Sequence, residues 1–198
     1  MSLQLIPARR TRGVTKKRAR ARARAGSPSW NTRVLAPSEH GLYADELRRL
    51  THEEQARQQG ELVHGIDLDA YITKILEQAD IAVLIVEGHL AGFCAFYTYD
   101  PGQPSAFITL FILAPETRHC GMAEPLLEVA AAAAVAKGFG TLTLRVRHRN
   151  WSAIRFYLRQ GFRESGRYGR DLEMCMPLTR SFALAKHRNR QFARGMAS

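Results

Sequence analysis

Long apolar runs are missing from this 198-residue chain. No stretch reaches the about 18 consecutive apolar residues of a membrane-spanning helix. The nearest, LLEVAAAAAVA, is too short and too weakly apolar, so membrane insertion is not expected and a soluble protein is. Cysteine is scarce as well. Cys94, Cys120 and Cys175 are odd in number, widely spaced and free of any CxxC or Cys/His grouping, which argues against a disulfide framework and against a zinc site. A reducing cytoplasm is the compartment expected. Acid is absent from both ends: residues 1–38 hold ten Lys/Arg and no Asp/Glu (+10), and residues 179–198 hold five and none (+5). Residues 39–178 carry fourteen Lys/Arg against eighteen Asp/Glu (−4), so the overall +11 belongs to the ends and the body is mildly acidic.

The N-terminal TKKRARARARAGSP is of low complexity and has almost nothing to bury, so it cannot repay the entropy of ordering. Three parts follow: a disordered basic tail over 1–37, a folded domain over 38–178 and a basic C-terminal tail over 179–198. Such tails attract nucleic acid or an anionic membrane surface through counterion release. The absence of interleaved aromatics removes a base-stacking platform, so nucleic acid is expected only through the tails.

Within the folded part, PSEHGLYADELRRLTHEEQARQQ offers Ser38 as a helix cap and Leu42, Leu47 and Leu50 at helical spacing. DLDAYITKILEQ predicts a second helix over 67–78, with Leu68, Tyr71, Ile72 and Ile75 on one face. The period then changes. Two β-branched and aromatic runs, 81–87 and 90–99, flank Gly88-His89 and read as a hairpin. After the turn PGQPS, the run AFITLFILA predicts a third strand, apolar almost throughout and so buried on both faces. A long helix over about 121–137, a strand TLTLRVR, a helix capped by Asn150 and stopped by Gly161, and two strands, FRESGRYG and DLEMCMPL, complete the order. This is an α/β layered domain with a mixed sheet.

The turn PETRHCGMAEPLL joins the third strand to the long helix. A helix start offers free N–H groups and the positive end of a dipole, Gly121 lets the main chain come close, and Arg118 adds charge. The spacing is not GxxxxGK[ST], and only one of the three glycines of a dinucleotide fingerprint is present, so phosphoryl transfer and a Rossmann site are both excluded. Two readings remain for the turn alone: a backbone anion site, or a surface arginine followed by an ordinary glycine cap.

The downstream cluster NWSAIRFYLRQGF separates them. Taken together, RHCGMA between strand and helix and N..A..FY...GF after the next strand resemble the GCN5-related N-acetyltransferase family over about residues 68–178. The segment 67–100 is more loosely similar to family members associated with surface-sugar biosynthesis. The resemblance implies a mostly antiparallel central sheet with splayed strands flanked by helices, and acetyl-CoA as co-substrate without a metal. It puts the coenzyme pyrophosphate on the amides of Arg118, His119, Cys120, Gly121, Met122 and Ala123, and pantetheine along Ile112 and Leu113. Asn150 would contact pantetheine or order the strand–helix junction, and Tyr157 would be the catalytic acid toward the thiol. The implied reaction is direct acetyl transfer, in a ternary complex, to a primary amine of a small molecule, an amino sugar among the candidates.

The sequence departs from that family in places. His119 and Cys120 stand where a glycine and a basic residue are frequent, Ala123 replaces the second glycine, and AFITLFIL lacks the glutamate that many members use as a base. Glu39, His40, His52, His64 and Asp100 remain as bases acting through water, or the amine arrives neutral. Cys120 is read as a tolerated loop thiol, since no His–Asn or His–Asp grouping lies near it. Phe156 is assigned to the core. The rival functions are acetylation of a protein or peptide with a basic tail, and a nucleic-acid-associated protein working through its tails. Oligomeric state is left open, a dimer being compatible with the sequence.

Overall fold

A computed structural model describes residues 29–60, 62–63, 65–98 and 105–178. The rest of both basic tails, His64, Asp100 and most of the PGQPS turn lie outside these described residues. Seven strands form one sheet in the order β1-β2-β3-β4-β5-β7-β6. The strands are β1 (Trp30–Val34), β2 (Asp80–Val86), β3 (His89–Tyr97), β4 (Ser105–Leu113), β5 (Thr141–Arg147), β6 (Arg163–Tyr168) and β7 (Asp171–Pro177). The helices are α1 (Ala44–Arg57), α2 (Leu68–Gln78), α3 (Ala123–Ala136) and α4 (Trp151–Gln160). All pairings are antiparallel except β4 with β5. Among the described residues, no helix is long and apolar enough to cross a membrane.

The first strand corrects the expected boundary at residue 38. On charge Trp30–Val34 falls in the tail, yet it pairs with β2 from Trp30↔Val86 to Val34↔Ala82. Its aromatic and β-branched residues suit a pleated surface, and Trp30 and Val34 pack against the core. Ser38 is not a cap. It sits exposed in a 3-10 helix, Pro37–Tyr43, whose first turn is closed by the Glu39 carboxylate accepting from the Ala36 N–H at 2.8 Å. Leu42, placed on the apolar face of a helix by spacing, is 78% exposed because the tighter 3-10 turn rotates it outward.

The second helix agrees with its sequence: Asp67 caps α2, accepting from the Ala70 N–H at 2.8 Å, and Ile72 and Ile75 are buried. The β2–β3 turn is centred on Glu87-Gly88 rather than Gly88-His89, with both residues at positive φ (52° and 83°). That geometry matches the twist of the flanking strands.

Two apolar layers cover the sheet. On one face, α3 and α4 pack Leu126, Ala130, Ala134, Ile154 and Tyr157 against Cys94, Phe96, Ile108 and Leu144. On the other, α1 and α2 pack Leu47, Leu50 and Ile75 against Ile81, Val83, Phe93 and Leu110. The alanines of α3 are the small residues that let a helix lie close to a sheet.

β4 belongs to both layers, and its residues alternate between buried and half-buried rather than being buried on both faces as expected. Its register against β3 slips at Ala95↔Leu110 and Phe96↔Ile108, leaving Thr109 as an extra residue. Side chains therefore change sides at that point. Ala106 and Ile108 join the α3/α4 layer, whereas Leu110 and Ile112 join the α1/α2 layer.

Candidate active site

The parallel pairing of β4 and β5 runs only from Ser105↔Thr141 to Ile108↔Leu144. Beyond it, β5 stays paired with β7 through Arg147↔Asp171, while β4 continues to Leu113 beside β3. The two strands splay from Thr109 onward, so that beyond Ile108 they no longer pair with one another across the gap.

Which groups of β4 face that gap follows from the pairing. Ala114 N–H donates to Ala91 O at 2.9 Å, so Ile112, two residues earlier, also turns its main chain to β3, and its side chain is 2% exposed in the core. Phe111 and Leu113 present their edges to the gap instead. The sequence points to Ile112 with Leu113 as the pair on this edge; the bulge at Thr109 sets a phase in which Phe111 and Leu113 face the gap. Gly92, not singled out from the sequence, makes this register fit: a Cβ there would lie 2.5 Å from Leu113 Cδ2 and 2.8 Å from Ile112 O.

After β4 the chain makes a 3-10 turn, Pro115–Thr117, pinned by the buried Thr117 hydroxyl against Ala91 O (3.1 Å) and Ala114 O (2.9 Å). His119 (φ 60°) and Gly121 (φ 75°) then adopt left-handed conformations, and Met122 leads into α3. Among the described residues, the N–H groups of His119, Cys120, Gly121, Met122 and Ala123 donate to no protein acceptor. Nothing lies within 4 Å of a Cβ built on Gly121, so the turn is open above it. This is a concentration of free donors at a helix start, a site for an anion. Cys120 is exposed, its Sγ 3.8 Å from Glu116 O.

Arg118 behaves differently from its expected part in holding the anion. Its Nε and Nη2 donate to Leu113 O at 2.9 and 2.8 Å, and Nη2 also reaches Glu54 Oε2 at 2.7 Å. Its own N–H is engaged with Pro115 O. Glu54, on α1, is 7% exposed and also accepts from Arg57 and Gln58. Burial opposes its ionisation, but the hydrogen bonds from Arg57 and Gln58 and the charge of Arg118 outweigh it and hold the carboxyl below its usual range. Glu54 thus braces α1, the turn and the end of β4. From the sequence, Glu54 and Arg57 look like an ordinary surface pair three residues apart, which is why the brace is invisible there.

On the α3/α4 side, Asn150 caps α4, its Oδ1 accepting from the Ala153 N–H at 3.2 Å, and Gly161 ends the helix at φ 97°. Tyr157 stands edge-on to Phe111 (6.4 Å between centroids), Phe156 (5.2 Å) and Phe162 (5.4 Å). It is more buried than Phe156, which is half-exposed against the core. Burial, with Cys94 nearby, pushes the phenol well above its ordinary value. Its hydroxyl has no hydrogen-bond partner among the described residues.

The proposed bases are scattered. Glu39 is locked to Arg33 by two 2.7 Å hydrogen bonds, His40 contacts Leu76 O through Nδ1, and His52 contacts Asp69. None of these partners is on β4 or β5. The Tyr71 hydroxyl, on α2, hydrogen-bonds with Thr109 Oγ1 at the bulge where the splay begins. Burial raises the Tyr71 phenol, only partly offset by that bond. Across the mouth of the gap lies a cavity of about 590 Å3 lined by residues 57–59 at the end of α1, residues 147–150 at the end of β5 and beyond it, and Arg170 in the β6–β7 turn. Among the described residues, no group of three or more His, Cys, Asp or Glu could hold a metal ion.

The sequence profile described as "Acetyltransferase (GNAT) family" matches residues 42–162, which include α1, the splayed strands, the amide turn and α4. The chain belongs to the acetyltransferase (GNAT) family. Its members take an acetyl group from acetyl-CoA, and this chain is such an acetyltransferase. Solved structures agree in fold. The PaiA N-acetyltransferase of Thermoplasma acidophilum, in complex with coenzyme A, is 19% identical at a TM-score of 0.55, covering 75% of this chain and 99% of that one. The ribosomal-protein-S18-alanine N-acetyltransferase of Escherichia coli is 20% identical at 0.58, covering 76% and 95%. The N-acetylglutamate synthase of Neisseria gonorrhoeae, complexed with coenzyme A and N-acetyl-glutamate, is 17% identical at 0.60, covering 79% and 37%. No curated protein sequence matches the chain.

Proposed function

We propose that this GNAT acetyltransferase transfers acetyl directly from acetyl-CoA to a primary amine of a small molecule within a ternary complex. The observation that carries it is the end of β4–β5 pairing at Ile108↔Leu144, followed after β4 by five free amides at the start of α3. The coenzyme pyrophosphate rests on the amides of residues 119–123. Pantetheine, itself an amide chain, runs along the edge of Phe111 and the Leu113 N–H as an added strand would, the Leu113 carbonyl being held by Arg118. Asn150 orders the β5–α4 junction beside it. The small-molecule acceptor is favoured by the cavity at the mouth, whose about 590 Å3 is in the range of small-ligand sites.

In the reaction, the amine nitrogen forms a bond to the thioester carbonyl carbon. The Leu113 N–H stabilises the oxygen as negative charge gathers on it, the C–S bond breaks, and the departing sulfur takes a proton. Tyr157 faces the β4 edge from the α4 side. Because burial raises its phenol, it acts chiefly as a hydrogen-bond donor to the sulfur, and the amine supplies the proton lost overall. Glu54 is a poor base, since its arginine partners hold its carboxyl low.

The test is Tyr157→Phe: kcat should fall about 10- to 100-fold while the Kd for acetyl-CoA is nearly unchanged. In the parent, the raised phenol predicts no loss of kcat through tyrosine ionisation up to pH 10. Unchanged kcat in the variant would remove Tyr157 from the chemistry.

A further inference from the structure

The cavity at the mouth of the cleft is rich in arginine. Arg57, Arg147, Arg149 and Arg170 line it with His148, Gln58, Gln59 and Asn150, and no carboxylate is among its described lining residues. This concentration runs against the composition of residues 39–178, which carry a net −4. Two of the guanidiniums are matched: Arg57 by Glu54, and Arg147 by Asp171 at 3.3 Å. Arg149 and Arg170 are exposed and have no acidic partner among the described residues.

They are also held in place from below. His148 N–H donates to Arg170 O at 3.0 Å, and His148 Nδ1 contacts the same oxygen at 2.8 Å, which puts its proton on Nδ1. The β5–α4 turn and the β6–β7 turn are thereby joined through one carbonyl, so the two unmatched arginines extend from backbone that is fixed on both sides of the mouth. An unpaired guanidinium in a concave site attracts anions, and its planar fork suits the oxygens of a carboxylate or phosphate.

We propose that Arg149 and Arg170 make this mouth selective for small acceptor amines that carry a carboxylate or phosphate group. The proposal rests on the acetyltransferase reading above. The coenzyme phosphates have their own donors in the amides of residues 119–123, so these arginines are left to the acceptor. Polyamines and basic peptides would meet like charge here.

The experiment uses the full chain with acetyl-CoA and matched amines: glucosamine 6-phosphate against glucosamine, serine against serinamide, with spermidine and a peptide beginning Ala-Glu-Glu alongside. At least one anionic member should exceed its neutral partner about tenfold in kcat/KM, the phosphate and carboxylate pairs showing which oxygen acid is read. In Arg149→Gln/Arg170→Gln this preference should fall below about threefold, with the KM for acetyl-CoA within about twofold. Where turnover is too slow to measure, saturable thermal stabilisation of the coenzyme A-bound protein by the same amines reads the same preference. A preference for the neutral member or spermidine, a preference intact in the double variant, or a loss appearing in the KM for acetyl-CoA would each overturn the proposal. A faster rate with the acidic peptide than with either small anion would overturn its small-molecule part. Calorimetric titration with acetyl-CoA separates the two readings: no binding sinks the placement of the coenzyme, whereas binding without any anion preference sinks only the selectivity.

Discussion

At one rim of the cleft, the turn after β4 offers main-chain N–H groups and directs Arg118 inward to Glu54 and Leu113. At the other rim, the turns after β5 and β6 line a cavity with guanidinium side chains over backbone joined by His148 and Arg170. On the reading proposed above both rims attract anions, but by different means. Backbone donors keep their geometry whatever side chains the turn carries, so His119 and Cys120 are tolerated there; their main-chain amides remain available. Side-chain cations can change with a single substitution, which suits a surface that reads a variable acceptor. On the reading proposed above, an invariant coenzyme is met by backbone and an individual acceptor by side chains.

Glu54 links the two rims, because it holds Arg57 on the cavity side and Arg118 on the turn side. Glu54→Ala should therefore weaken both at once, costing about 2 kcal/mol of stability through the lost charged hydrogen bonds. A denaturant midpoint and KM values for both substrates would check it. Loss at only one rim would break the link.

Gly92 tests the strand between the rims. Gly92→Ala puts a methyl against Leu113 and the Ile112 carbonyl, and the strand pair must shift to admit it. A loss of about 1–2 kcal/mol is expected, together with a lower kcat from a displaced Leu113 N–H. Unchanged kcat would separate the register of β4 from the chemistry.

The smallest effect is expected at Glu39, outside both rims. The hydrogen bonds from Arg33 and the Ala36 N–H lower its carboxyl to about 2. A depressed value means that ionised Glu39 stabilises the fold above the ordinary carboxylate range and that this support is lost as pH falls toward 2. Glu39→Gln should leave kcat unchanged at pH 7 and flatten the acid dependence of stability between pH about 4.5 and 2. A large fall in kcat would return Glu39 to the list of bases.

The hairpin, α2, the turn after β4 and α4 between Asn150 and Gly161 were legible because each rests on local chemistry: a period, a cap or a glycine at positive φ. Trp30–Val34 was hidden by the neighbouring charge run, since its strand character depends on a partner fifty residues away. The same holds for the site. The parts proposed here for Tyr157 and the turn come from motifs. The bulge at Thr109, which turns Ile112 away and Phe111 outward, is a matter of pairing with β3. Arg118 reads as a free cation until the fold supplies Glu54, 64 residues earlier. Arg149 and Arg170 come from two distant turns, and only the meeting of β5 with β7 makes them one surface.

Isothermal titration with acetyl-CoA, on the parent protein and on Gly121→Glu, tests the central claim most directly. The substitution places a carboxylate and a side chain at positive φ over the free amides. One equivalent should bind the parent, and affinity should fall about 100-fold or more in the variant. No binding to the parent, or equal binding by both, would contradict the account.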